Sequence, residues 1–419
     1  MNKRETAQIS EKQKTDVLIV GAGPAGLAAA VRLYELGIHD ILVIERENRP
    51  GGILRQCIHD GFGVTRFGES LTGPEYASRF IAKALEYGIR IISNAAVTDI
   101  TADREVTVVS REGRTIWQAK AVILAMGCRE RTRGAAAIPG ERPCGVFTAG
   151  VAQAYINIYN RMPARETVIL GSGDIGMIMA RRLTLEGAHV KAVYEIQPYP
   201  SGLPRNIRQC LLDYDIPLIL SHTVTQIHGS RRLEGVTVSE VDETLRPVPG
   251  TDEYIPCDTL ILSVGLIPEN ELSLDAGVSL DPRTHGAFVD EHFQTDVPGI
   301  FAAGNVLHVH DLVDFVSKEA EAMAEAVKSY LEEGILAKGG IKIIAGEGIH
   351  HTVPQAAEGR EPFTLSLRVR RPMRDVTICA RQGNEILGRK KMKQALPAEM
   401  IWLPLKPLKG TEDVEVYVE

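Results

Sequence analysis

The chain has 419 residues, 44% hydrophobic and 24% charged, the balance of a globular protein long enough for two or three domains. A net charge of −7 gives no footing for nucleic acid as a partner, and no run approaches the roughly 20 apolar residues of a membrane span. The charged N-terminus MNKRETAQISEKQKT lacks the apolar centre of a signal peptide, and the six scattered cysteines form neither a CxxC pair nor a zinc spacing, which points to a reducing cytoplasm with free thiols.

In chain order, DVLIVGAGPAGLAAAVRLYELG leads to ILVIERE, and later ETVILGSGDIGMIMARRLTLEG leads to VKAVYEI. Each stretch predicts a buried strand, a glycine turn, an amphipathic helix and a second strand. Continuous apolar runs such as VLIV suit parallel strands covered on both faces. Each plan meets a later strand ending in glycine, AVILAMG at 121–127 and TLILSVG at 259–265, and GIFAAGN at 299–305 precedes a helix at about 314–331. The fold class is therefore α/β, with two doubly wound Rossmann-like domains, one inserted in the other. The expected boundaries are 15–149 and 267–337 for the first domain and 150–266 for the insertion. From 341 to 419, FTLSLRV, a hairpin around Gln382-Gly383-Asn384, and VEVYV predict a small β-rich domain. Its basic stretch is either a solvated face or a docking surface.

The glycine turns carry the chemistry. Gly21 permits a tight turn, Gly23 lets backbone approach a pyrophosphate, and Gly26 lets helix and strand pack closely; Pro24 and Ala25 complete the turn. Glu45 ends the second strand, where its carboxylate can accept ribose hydroxyls. Arg46, Gly52, Val97, Ala125 and Gly127 are further expected contacts of that dinucleotide. Gly171, Gly173, Asp174, Ile175 and Gly176 repeat the turn, with Glu195 at the matching place and Gly265 on the facing strand. A carboxylate at 195 repels a 2′-phosphate and no basic residue lies at 194–197, so NAD is favoured over NADP.

These motifs, with TDVPGIFAAGN, resemble the two-dinucleotide-binding-domain flavoproteins that include glutathione and thioredoxin reductases, over about residues 15–337. The resemblance implies FAD in the first domain, NAD(P)H in the inserted one, and a homo-oligomer whose interface the sequence does not disclose. The family's late GD motif reads Gly304-Asn305 here, which retains hydrogen bonding to the ribityl chain without the charge. The places where glutathione-reductase-like chains carry redox cysteines hold Leu54 and His59, so a flavin-to-dithiol relay is not expected. Cys57 is either a reactive thiolate, as in NADH peroxidase-like relatives, or a packing residue, and His59 is a proton donor or a satisfied polar group. His308, His310 and Asp311 are candidates for proton handling near the flavin. An HxH pair can chelate, but no third ligand is evident in the sequence, and no metal site is expected.

A finer resemblance rests on GGILRQCIHDGFG, LTGPEYASRF, MGCRERTRGAAAIPGERPCGVFTAG, GNVLHVHDLVDFVSKEA, HHTVPQ and LPAEMIWLPL. Together they are similar to the FAD/NAD subunits of sarcosine oxidase, opine oxidase and hydrogen cyanide synthase, and most of all to the oxidoreductase associated with glycerol-3-phosphate dehydrogenase. It implies hydride exchange between NAD(H) and FAD, with electrons shared with a partner flavoprotein subunit. The rival expectations are a Cys57-dependent NADH oxidase or peroxidase, and a non-catalytic FAD-holding assembly subunit.

Overall fold

A computed structural model describes residues 12–336 and 339–419; most of the N-terminal segment judged against a signal peptide lies outside the described residues. The chain divides into two compact units, one running to Cys128 and resuming at Pro268, the other Arg129–Ile267.

The first unit is built on a seven-stranded sheet. Its parallel part runs Arg90–Ile92, Ile41–Ile44, Gln13–Val20 and Gly113–Leu124, and Ile300–Ala302 adds to the last of these in parallel. Glu105–Ser110 and Ala95–Ile100 continue the sheet antiparallel. Successive side chains of a strand point to opposite faces, and both faces here are covered. Val17 and Ile19 join a core with Leu27, Tyr76 and Met323. Leu18 and Val20 join another with Val106, Ile300 and Leu307. The first core is roofed by the helices Pro24–Glu35, Gly73–Glu86 and Val313–Glu333. Thr72 and Glu75 form a capping box at the start of Gly73–Glu86, satisfying backbone N–H groups that helix geometry leaves unpaired.

The β-rich tail folds as a five-stranded and a three-stranded sheet around a core of Leu365, Leu367, Ile378, Leu403 and Val416. The FTLSLRV strand is Phe363–Val369, and the hairpin pairs Met373–Gln382 with Glu385–Ala395. The tail groups with the first unit. Val353 is buried in the first unit's second core. Gln355 accepts a hydrogen bond from Val289 N (3.0 Å) and donates its own backbone N–H to Val289 O (3.1 Å). Glu291 accepts from the backbone N–H of Glu358 and Gly359 at 2.9 and 2.7 Å.

The second unit has a five-stranded parallel sheet in the order Leu218–Leu220, His189–Glu195, Glu166–Leu170, Thr259–Leu262, Val146–Thr148. Asp174–Leu185 and Ala149–Asn157 pack on one face and a three-stranded antiparallel sheet supplies the other core. The unit begins at Arg129 rather than near residue 150 because Val146–Thr148 pairs with Thr259–Leu262. The two units are both Rossmann-like α/β folds.

Candidate functional site

In the first unit, the strand Gln13–Val20 ends at Gly21, whose φ of +103° suits glycine, and a Cβ there would lie 2.6 Å from the Ala125 carbonyl oxygen. A Cβ on Gly26 would lie 2.0 Å from the Gly21 oxygen, so helix and turn touch backbone to backbone. Gly23 differs: nothing lies within 4 Å of where its Cβ would be. It is the N-cap of Pro24–Glu35, with Pro24 at the helix start, and no side chain caps the helix's first N–H groups. Glu45 is 5% exposed; its carboxylate accepts from Ala22 N and Glu47 N, both at 2.8 Å. Gly52 closes on the turn, 2.9 Å from Gly23 Cα to its would-be Cβ, and Gly304 approaches Ala25 Cβ equally closely. Ala125 is buried in the first core, Val97 is half-buried against the second, Gly127 faces open space, and Arg46 is exposed. Asn305 accepts from His310 N at 3.0 Å through Oδ1, and its amide is 3.6 Å from Cys128 Sγ. These residues fit a dinucleotide: the cradle above Gly23 is the space a pyrophosphate needs, and a buried carboxylate stands ready at the strand end.

The second unit repeats the arrangement. Gly171 has φ +96° and sits against the Ser263 carbonyl, 2.1 Å from its would-be Cβ, and Gly176 N donates to Ser263 Oγ at 3.1 Å. Gly173 is the N-cap of Asp174–Leu185, Ile175 is half-buried against the helix's core, and Gly265 faces open space. Glu195, 3% exposed, accepts from Ser172 N (3.0 Å), Ser172 Oγ (2.6 Å), Ser201 Oγ (2.8 Å) and Gln197 N (2.9 Å). Asp174, expected as a cofactor contact, also holds a neighbouring loop. Its Oδ1 accepts from Leu203 N at 2.8 Å and Asn206 Nδ2 at 2.7 Å, fastening the loop that carries Ser201.

The HVHD segment gathers around a residue of the long helix. Glu319 lies 2.6 Å from His308 Nε2 and 3.3 Å from His310 Nε2, and accepts from Gly304 N at 2.7 Å. All three side chains are 1% exposed. Burial opposes ionisation of Glu319, but His310 and His308 beside it overcome that and hold its carboxyl well below the usual range. Burial also disfavours charge on His308 and His351, whose rings lie 6.2 Å apart. Asp311 is 3.6 Å from Arg368 Nη2, which donates to Val309 O at 3.0 Å, so the tail braces this segment.

A family model described as pyridine nucleotide-disulphide oxidoreductase matches residues 15–351. The chain belongs to this family. It is an FAD-dependent NAD(P)H oxidoreductase. It is 28% identical over 302 residues to a thioredoxin reductase of Listeria innocua, covering 71% of this chain and 87% of that one. It is 29% identical over 313 residues to an opine oxidase subunit of Agrobacterium tumefaciens, covering 69% of this chain and 61% of that one. Thioredoxin reductase of T. acidophilum has the same fold, with a TM-score of 0.63 at 25% identity over 76% of this chain and 99% of that one. Among the described residues no helix is long and apolar enough to cross a membrane.

The six cysteines are free. Burial pushes the Cys57 thiol up to about 12, so it is a neutral thiol at physiological pH, and it donates to Ile53 O at 3.3 Å. The segment carrying Cys57 packs on the helix start at Gly73, whose N donates to Cys57 O at 2.8 Å. His59 tilts against Phe62, with ring centroids 4.9 Å apart. Lys318 is exposed, whereas Asp314 is 3% exposed and accepts from Gly63 N (2.9 Å) and Thr65 N (2.8 Å). Sequence reading missed Glu319 and His351. Glu319 did leave a signal: it stands in the helix stripe Val316, Ala320, Met323, Val327, where every other member is apolar.

Proposed function

We propose that this oxidoreductase takes NADH rather than NADPH and hands electrons to or from a partner flavoprotein instead of a disulfide. The observation that carries the reading is Glu195, a buried carboxylate anchored by four hydrogen bonds at the strand end where the ribose of a nicotinamide dinucleotide would lie. A 2′-phosphate brought there meets a fixed negative charge, and residues 194–197 hold no basic side chain to neutralise it.

The turn at 21–26, Glu45, Gly304 and Asn305 would hold FAD, and the turn at 171–176 with Glu195 the nicotinamide dinucleotide. FAD supplies a two-electron carrier that exchanges hydride with NADH. The chain's own residues bind and orient: helix starts at Gly23 and Gly173 offer N–H groups to phosphates, and Glu45 and Glu195 accept from ribose hydroxyls. His308, His310 and Asp311 line the segment after Asn305, where they order the backbone of that loop.

The absence of a CxxC pair and the neutral state of Cys57 favour an acceptor other than a dithiol. The same state counts against a Cys57-dependent oxidase or peroxidase. The likeness to a protein named as one subunit of opine oxidase supports a partner for this chain. We assign that partner to the class of flavoprotein dehydrogenases acting on a small hydroxy or amino compound, of the glycerol-3-phosphate dehydrogenase kind.

Turnover assays test this. The flavin-loaded chain with NADH should reduce an artificial dye and leave disulfide substrates such as oxidised thioredoxin untouched, and affinity purification from the native host should recover a flavoprotein dehydrogenase. Disulfide reduction at a rate comparable to dye reduction would overturn the reading.

A further inference from the structure

His308, His310 and Glu319 place three ligand atoms within 4.8 Å of one another in the interior of the first unit. We propose that they bind one divalent cation of the zinc class, held by His308 Nε2, His310 Nε2 and the Glu319 carboxylate. Two imidazoles and one carboxylate make a donor set that zinc accepts, with the fourth position left to water.

The argument rests on where the protons must be. His310 Nδ1 lies 3.0 Å from the carbonyl oxygen of His308 and donates its N–H there. In the neutral ring this leaves Nε2 as a bare lone pair. That lone pair faces Glu319 Oε2 at 3.3 Å and has no hydrogen bond of its own. A lone pair opposed to a carboxylate oxygen in a dry interior is repulsive unless a cation lies between them. A metal ion would relieve that repulsion at His310, and at His308 it would take the place of the proton that Nε2 now shares with the same oxygen at 2.6 Å.

Two of the three ligand spacings are near what zinc needs, and the third lies within 4.8 Å. Ligands about 2.1 Å from a tetrahedral zinc stand about 3.4 Å apart. The His310–Glu319 pair is already at that spacing, and the His308–Glu319 pair needs to open by less than about 1 Å. The surrounding groups act as an outer shell: the His308 carbonyl fixes the His310 tautomer, and Gly304 N, bonded to Glu319 Oε1 at 2.7 Å, orients the carboxylate. Two further buried nitrogens near the cluster, His308 Nδ1 and His351 Nε2, also lack hydrogen-bond partners. The competing account is a second proton on His310, making an imidazolium–glutamate pair.

The bound ion would tie the 304–310 loop to the long helix Val313–Glu333. Its test reads metal directly. The purified flavin-loaded protein is dialysed against chelator, titrated calorimetrically with Zn²⁺ and assayed for bound metal by mass spectrometry. The expected result is one zinc per chain, with affinity at least about tenfold weaker in His310→Phe and in Glu319→Gln. Retained flavin and circular dichroism certify that each variant is folded; if Glu319→Gln is not, His310→Phe decides alone. No zinc bound by the wild type overturns the proposal in favour of the ion pair. Equal affinity in His310→Phe overturns it by putting the zinc elsewhere, for instance on thiols.

Discussion

Replacing Gly23 by alanine separates what the first turn does for the fold from what it does for the cofactor. An alanine Cβ at this position meets nothing within 4 Å, and the backbone at φ −77° is ordinary for any residue. The folded chain therefore tolerates the methyl group, and the apoprotein should melt within about 2 °C of wild type. The same methyl stands in the cradle at the start of Pro24–Glu35, where the FAD pyrophosphate must approach the backbone. Forcing a methyl group into a filled contact costs about 1–3 kcal/mol, which is about a 5- to 150-fold loss of FAD affinity. Gly26→Ala is the control with the opposite logic: its Cβ would lie 2.0 Å from the Gly21 oxygen, so the fold itself must shift and both melting temperature and FAD affinity should fall. The assay is reconstitution of deflavinated protein with FAD, followed by flavin fluorescence, beside thermal denaturation of the apoprotein. Wild-type FAD affinity in Gly23→Ala would refute the assignment of that cradle to the cofactor.

Three other outcomes follow from particular contacts. Glu195→Gln removes the charge and keeps only one of the two accepting oxygens, so NADPH should gain on NADH by about tenfold, measured as the ratio of kcat/KM values; an unchanged ratio would show that Glu195 does not face the ribose. Cys57, with its thiol pushed up to about 12, should alkylate far more slowly at neutral pH than the exposed Cys144, its rate climbing only as pH rises toward 12; peptide mapping by mass spectrometry reads both sites, and equal labelling at neutral pH would contradict the neutral-thiol assignment. Asp314→Ala strips two backbone N–H groups of a buried acceptor and should cost about 3 kcal/mol in denaturant unfolding, a loss under about 1 kcal/mol arguing that water replaces the carboxylate.

The Rossmann-like units were legible because their signals are local. An apolar run, a glycine turn and a carboxylate at the next strand end lie within one short stretch of chain, and each fixes its own backbone. The 363–369 and 414–418 strands were equally readable from alternation alone. What the sequence hid depends on long-range packing. Nothing in the tail's pattern says that Val353 fills the first unit's core or that Gln355 bonds to Val289. Nor does the glycine turn say that the Asp174 carboxylate accepts from Leu203 N and Asn206 Nδ2. Glu319 was written into an apolar helix stripe, but only folding brings His308 and His310 to it.

The most direct test of the central claim is anaerobic mixing of the flavin-loaded chain with NADH and, separately, with NADPH, following the visible flavin absorbance. The account predicts fast bleaching by NADH and slow bleaching by NADPH. Bleaching that is faster with NADPH, or absent with both, would contradict it.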